Sequence, residues 1–175
     1  MGIALQLLAR VPNQDADLLN FLKVVLSRNE SHLLQGQMYY LRSQLAMKMA
    51  QQVSVEERAG LMAIAESDAR TLLDQFPGLS QITNVYRLLA YAALERQPAQ
   101  YRAAADFLIQ LRDQSRESED FVEVNRLIGD CYFLNRDFAN AVDFYSAALN
   151  RGLGSPRSGE LFLRLISAQV RAGLI

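Results

Sequence analysis

The stretch VEVNRLIGDCYFLNRDFANAVDFYSAALNRGL, residues 122–153, decides the fold. Ile128 and Gly129 lead to Tyr132, and Ala141, Tyr145 and Ala148 then recur at steps of four and three, the period of one helical face. Small residues stand where two helix backbones approach, and aromatic ones fill the space beside them. Asn135-Arg136-Asp137 breaks the pattern, and Asp137 is placed to accept from the free amides of a following helix as its N-cap. The stretch therefore reads as two helices folded into a hairpin.

Weaker copies lie on the N-terminal side. Leu34, Met38, Leu41, Leu45 and Met49 follow a helical stripe to about Gln52, and Ser54 with Glu57 carries the capping-box signature of a new helix. That second helix holds Ala65, Ala69 and Leu72 at the spacing of Ala141, Tyr145 and Ala148, and ends near Phe76-Pro77-Gly78. Ser80 is placed to cap a helix through Val85, Leu88, Leu89, Ala90 and Ala93 to about Glu95. Gln97-Pro98 then predicts a turn with proline at the first helical position, followed by Ala104, Leu108 and Leu111. Residues 112–120, RDQSRESED, form a charged connector with Ser118 as a candidate cap. At the start, Ile3 to Arg10 reads as a short apolar helix closed by Pro12, and Asp15 to Arg28 as a helix striped by Leu18, Leu19, Leu22, Val25 and Leu26. Ser155-Pro156 is expected to open the last helix, with Leu161, Leu165, Ile166 and Val170 facing inward and, where that helix caps the array, Arg164 and Arg171 on its outer face.

The central hairpin resembles the tetratricopeptide repeat, a helix-turn-helix unit of about 34 residues, through Ile128, Gly129, Tyr132, Phe138, Ala141, Tyr145 and Ala148. It departs from the family at Asn125, where a large apolar residue is usual, and at Leu153, where proline often closes the second helix. Setting Ala46, Ala90, Gly129 and Ser167 as equivalent gives steps of 44, 39 and 38 residues, so the repeats are irregular. The resemblance implies an all-α fold, a right-handed α-solenoid of stacked antiparallel hairpins at about 3–28, 32–76, 81–113 and 119–151 with a terminal helix at 157–172. These make one repeat domain over residues 1–175, expected to be either capped by that helix or cut from a longer array.

The family also implies a concave groove lined by the first helix of each hairpin. In this sequence that face carries Asn84, Arg87 and Tyr91 in one copy and Glu123, Arg126 and Asp130 in the next. Arg87 and Arg126 would pair a partner's carboxylates and Tyr91 would add apolar contact. The subtype that captures a C-terminal carboxylate uses lysine and asparagine on one first helix; here Arg87 stands with Tyr91 and Arg126 with Asp130, so that activity is not expected.

Composition narrows the partner. The net charge is −1 with both signs interspersed, sixteen Arg and two Lys (Lys23 and Lys48) among them, which leaves no footprint for nucleic acid or an anionic membrane surface. No apolar run approaches the roughly 20 residues that cross a bilayer, and the first residues lack the basic leader of a signal peptide. A soluble protein or segment, cytoplasmic or periplasmic, is expected, and the ending Leu72-Leu73-Asp74-Gln75-Phe76-Pro77, which is similar to that of many bacterial tetratricopeptide repeats, implies a bacterial one. His32 is the one histidine and Cys131 the one cysteine, so a metal site, a disulfide within the chain and a thiol nucleophile with a histidine base are not expected. Residues 152–156, Gly-Leu-Gly-Ser-Pro, have no lysine following as a phosphate loop requires and read as a helix stop. Glu117, Glu119, Asp120 and Glu123 lack calcium-loop spacing. The expectation is a scaffold for a protein or peptide partner, with no catalysis and no cofactor. Its rivals are a structural segment of a larger bacterial export or envelope assembly and, third, an all-helical enzyme or small-ligand sensor with a pocket between hairpins. Leu174 and Ile175 also suggest self-association through the chain ends.

Overall fold

A computed structural model describes residues 14–28, 34–114, 120–154 and 156–175. Among the described residues there are eight helices and no strand. They are α1 (Asp15–Ser27), α2 (Gln35–Ala50), α3 (Val55–Gln75), α4 (Ile82–Glu95), α5 (Tyr101–Gln114), α6 (Phe121–Leu134), α7 (Phe138–Gly152) and α8 (Ser158–Ala172). The expected helix at 3–10, the turn at 29–31, His32, Glu117, Glu119, and the caps Ser118 and Ser155 lie outside the described residues. The chain divides into two compact units, one ending at Leu89 and the other beginning at Ala90, inside α4.

In the first unit α1 packs on α2 and α2 on α3. Leu18, Leu22 and Leu26 are buried along one stripe of α1 and meet Met38 and Leu45 of α2, with Leu19, Val25, Leu41 and Met49 around them. Lys48 reaches back to Asp15 in the first turn of α1 at 2.7 Å. Ser54 accepts from the Glu57 amide at the start of α3, as its spacing predicts, and Ala65, Ala69 and Leu72 are fully buried. α3 closes where Phe76 caps its last turn through the Leu72 carbonyl.

In the second unit α5 packs on α6, α6 on α7 and α7 on α8. The residues expected inward on α5, Ala104, Leu108 and Leu111, are buried, as are Ala90 and Ala93 of the part of α4 in this unit; Val85, Leu88 and Leu89 are buried in the part of α4 belonging to the first unit. The α6–α7 turn is held by left-handed Arg136 (φ 61°): its amide bonds Phe133 and the Asp137 amide bonds Tyr132, a Schellman closure. Asp137 then caps α7 by accepting from Asn140, as expected. Gly129 is required by contact, since a Cβ there would stand 2.6 Å from the Tyr145 ring. Asn125, in place of the family's apolar residue, is fully buried and donates to the Phe121 carbonyl of its own helix at 2.8 Å, leaving its Oδ1 unpaired.

Both proline expectations are corrected. Gln97-Pro98 is a cis peptide in a bend, and α5 starts later, with Gln100 accepting the first helical bond from Ala104. Pro156 lies in a turn ahead of α8, whose N-cap is Arg157 without a side-chain cap. The register of α8 is corrected too. Leu161 is buried, but Val170 and Ser167 are exposed, and the fully buried small residue is Ala168. Counting from Gly129, Ala168 gives a step of 39 rather than 38 (168 − 129).

Candidate interaction groove

The expected site residues fall into two groups. Asn84, Arg87 and Tyr91 lie three and four residues apart on one exposed stripe of α4. Asn84 donates to the Tyr40 hydroxyl at 3.2 Å, an oxygen that also accepts from Gln44. Glu123, Arg126 and Asp130 share a half-buried stripe of α6 and are brought together tightly. Arg126 grips both Glu123 oxygens, at 3.0 and 2.6 Å, and its third nitrogen bonds Asp130. Arg126 is therefore committed within the chain, and its guanidinium fork is closed to a partner's carboxylate.

This cluster continues onto neighbouring helices. Tyr145 of α7 donates to Asp130 at 2.6 Å, and Arg164 of α8 donates to the same oxygen at 2.9 Å while holding Glu160 at 2.8 Å. Arg157, just before α8, reaches Glu123 at 3.2 Å. Arg164 is thus half-buried against α6, whereas Arg171 is exposed. Arg164 bridges to α6, and Arg171 lies 5.7 and 5.8 Å from the rings of Phe133 and Phe138, within cation–π range.

The electrostatics follow from these contacts. The Arg126 hydrogen bonds hold Glu123 below the usual carboxylate range, and Arg164 does the same for Glu160. Arg126 and Arg164 are pushed further toward permanent charge by Glu123 and Glu160 respectively. Burial, reinforced by the bond to Asp130, raises the Tyr145 hydroxyl. Cys131, one residue along, is buried, and desolvation lifts its thiol to about 11, so it stays protonated and unreactive at neutral pH.

Two hollows adjoin this ionic bridge and share Glu160 in their lining. One, of about 400 Å³, has apolar walls of Val122, Gly152, Pro156 and Leu161 and carries Arg151 and Arg157. Gly152 keeps it open, because a Cβ there would meet Val122 at 3.2 Å. The other, of about 250 Å³, is formed by Phe133, Leu163, Ser167 and the Glu160–Arg164 pair. Together they mark a groove along α6 and α8.

Sequence reasoning found α6's contribution and missed α8's. The spacing of Glu160 and Arg164, one helical turn apart, is the signal that marked a charged stripe there. Phe133 and Leu163 carried no such signal.

No protein-family model matches the chain, and no curated protein matches it in sequence. The tetratricopeptide likeness accordingly rests on residue spacing alone. Among the described residues there is no group of three or more His, Cys, Asp or Glu side chains able to hold a metal ion, and no helix long and apolar enough to cross a membrane.

Proposed function

We propose that this protein is a non-catalytic interaction scaffold, a right-handed tetratricopeptide-like solenoid that holds a partner's extended segment or helix along its first helices. The observation that carries the reading is the pair of hollows along α6 and α8 that adjoin one ionic bridge and share Glu160. A partner bearing two apolar side chains with a polar stretch between them complements that layout, each side chain entering one hollow. Arg157, whose side chain is 69% exposed, is the cation best placed for a partner's carboxylate. Arg126 serves by holding the bridge rigid, a change from the contact role that its sequence position suggested. On α4, Asn84, Arg87 and Tyr91 offer a polar and aromatic stripe for the same kind of partner.

The test is selection of peptides from a displayed random library on the intact chain, followed by affinity measurement. Arg157→Glu and Leu163→Asp change exposed side chains and are expected to weaken the selected peptides at least about tenfold, a loss of about 1.4 kcal/mol. Peptides bound equally well by both variants would overturn the groove reading.

A structural segment of a larger bacterial export or envelope assembly is the second reading. Phe162, Leu163, Val170, Leu174 and Ile175 are all more than half exposed on and beyond α8, a concentration of apolar surface suited to a permanent neighbour or a second copy. Light scattering over a range of concentrations decides the second-copy form, which a monomer throughout would remove.

A further inference from the structure

A hollow of about 370 Å³ lies in the first unit and shares no lining residue with the α6–α8 hollows. Leu19, Asn20 and Lys23 of α1 form one wall and Ala63, Ile64, Ser67 and Asp68 of α3 the other, with Arg42 of α2 between them. Its volume is in the range of small-molecule sites, and its lining is of their kind, apolar with a few converging polar groups.

The polar groups divide into a fixed pair, Arg42 and Asp68, and three that have no side-chain bond among the described residues. Arg42 is fixed: its Nε and Nη2 bond the two oxygens of Asp68 at 2.7 and 2.6 Å, and its guanidinium lies 5.6 Å from the Tyr39 ring. Asp68 is 1% exposed. A carboxylate buried this deeply costs desolvation that its partner only partly offsets, yet the pair orients the arginine. Only one edge of the guanidinium is used. The other edge, with N–H groups on both terminal nitrogens, keeps the fork geometry that receives a second carboxylate. Asn20, Lys23 and the Ser67 hydroxyl are exposed and, among the described residues, make no side-chain hydrogen bond or ion pair. They stand on the two walls that flank Arg42.

The charge balance selects the ligand. Lys23 and Arg42 against Asp68 leave a single excess positive charge, which suits a monoanion and disfavours a dianion such as phosphate, repelled by Asp68. Leu19, Ala63 and Ile64 offer apolar contact for a short body behind the charged end. We propose that the hollow between α1 and α3 binds a small monocarboxylic acid with a compact apolar chain, its carboxylate taken by Lys23 and the open edge of Arg42. Asn20 and Ser67 complete the hydrogen bonds to its oxygens. The site is independent of the groove on the other unit, and it gives this protein a ligand-sensing capacity beside its interaction surface.

Amide chemical shifts of the intact, isotope-labelled chain titrated with sodium hexanoate provide the test, with hexanol, hexylamine, sodium phosphate and a short peptide ending in leucine as comparators. Hexanoate is expected to shift amides of α1 and α3 around Asn20, Lys23, Ala63 and Ser67 saturably, while hexanol and hexylamine do not. Lys23→Gln and Ser67→Leu alter exposed positions and preserve the fold. The first removes the charge and the second fills the hollow, and each is expected to weaken hexanoate about tenfold. Absence of a saturable shift, equal binding of hexanol, tighter binding of phosphate, or indifference to both substitutions would each overturn the proposal. Binding of the peptide in preference to hexanoate at the same amides would also overturn it, by assigning the site to polypeptide C-termini.

Discussion

The hairpins α2–α3 and α6–α7 solve one packing problem with opposite choices of bulk. Where α6 supplies Gly129 against the Tyr145 ring of α7, the equivalent positions by spacing are Ala46 and Ala69, both fully buried. The small-against-large contact of one hairpin becomes small with small in the other. Polar groups follow the same exchange. One turn before Ala46, Arg42 crosses to Asp68, the neighbour of Ala69, in a closed two-member pair. One turn before Gly129 the equivalent residue is Asn125, which satisfies itself on its own helix, and the cross-helix charges lie further out as a half-exposed network spanning three helices. A large aromatic ring thus leaves charge at the rim, whereas small residues are accompanied by charge inside. The two hairpins should fail in different ways.

The largest effect is expected at Asp68. Asp68→Ala leaves Arg42, with only 17% of its side chain exposed, charged and unpaired, and should cost about 3 kcal/mol of stability in urea unfolding. The double replacement Arg42→Met with Asp68→Leu removes both charges and should recover most of that loss, since an apolar pair of similar volume escapes the desolvation penalty. A double variant as weak as the single one would mean that the pair's geometry, and not its charge balance, holds α2 to α3.

Gly129→Ala comes next. The added methyl meets the Tyr145 ring at 2.6 Å, and the ring cannot simply swing away because its hydroxyl is tied to Asp130. Overpacking should outweigh the gain in helix propensity and cost about 1.5 kcal/mol net. Ala46→Gly should lose about 1 kcal/mol through propensity and lost contact. If Gly129→Ala were stabilising, the size exchange between the hairpins would be incidental.

These contrasts show how far the sequence was legible. The caps Ser54 and Asp137 and the main buried positions of α1 to α7 follow from spacing. Those of α8 do not. Leu161, Phe162, Leu163, Leu165, Ile166 and Val170 lie away from the polar side of Glu160, Arg164, Ser167 and Arg171, yet Phe162, Leu163 and Val170 stay exposed while Leu161 and Ala168, at the edge of that apolar face, are buried, so the apolar face and the packed one do not coincide. The charged stripe of α6 was visible as three- and four-residue spacing, but its bond to Arg164 spans 34 positions, a separation at which local pattern carries no information. Pro98 and Pro156 misled because proline marks a turn as readily as a first helical residue.

Acid should separate the hairpins by sign, with the smallest effect. Glu123 and Glu160 are held below their usual range by Arg126 and Arg164. Their contribution is complete above the unfolded value, about 4.3, and is lost as pH falls through the lower folded values. Asp68 is opposite. Burial raises its carboxyl despite Arg42, so its folded form takes up a proton before the unfolded chain does, and acidification through that range favours the folded state. Hydrogen exchange followed downward from about pH 5, corrected for the intrinsic rate, should therefore show α8 losing protection first, by about two- to fivefold as befits exposed pairs. α2 and α3 should hold or gain protection over the same range. Salt should reduce the α8 response, because its charges are open to screening, and leave α2–α3 nearly unchanged. If α2–α3 opened first, burial would not be the dominant influence on Asp68, and the distinction between charge at the rim and charge inside would fail.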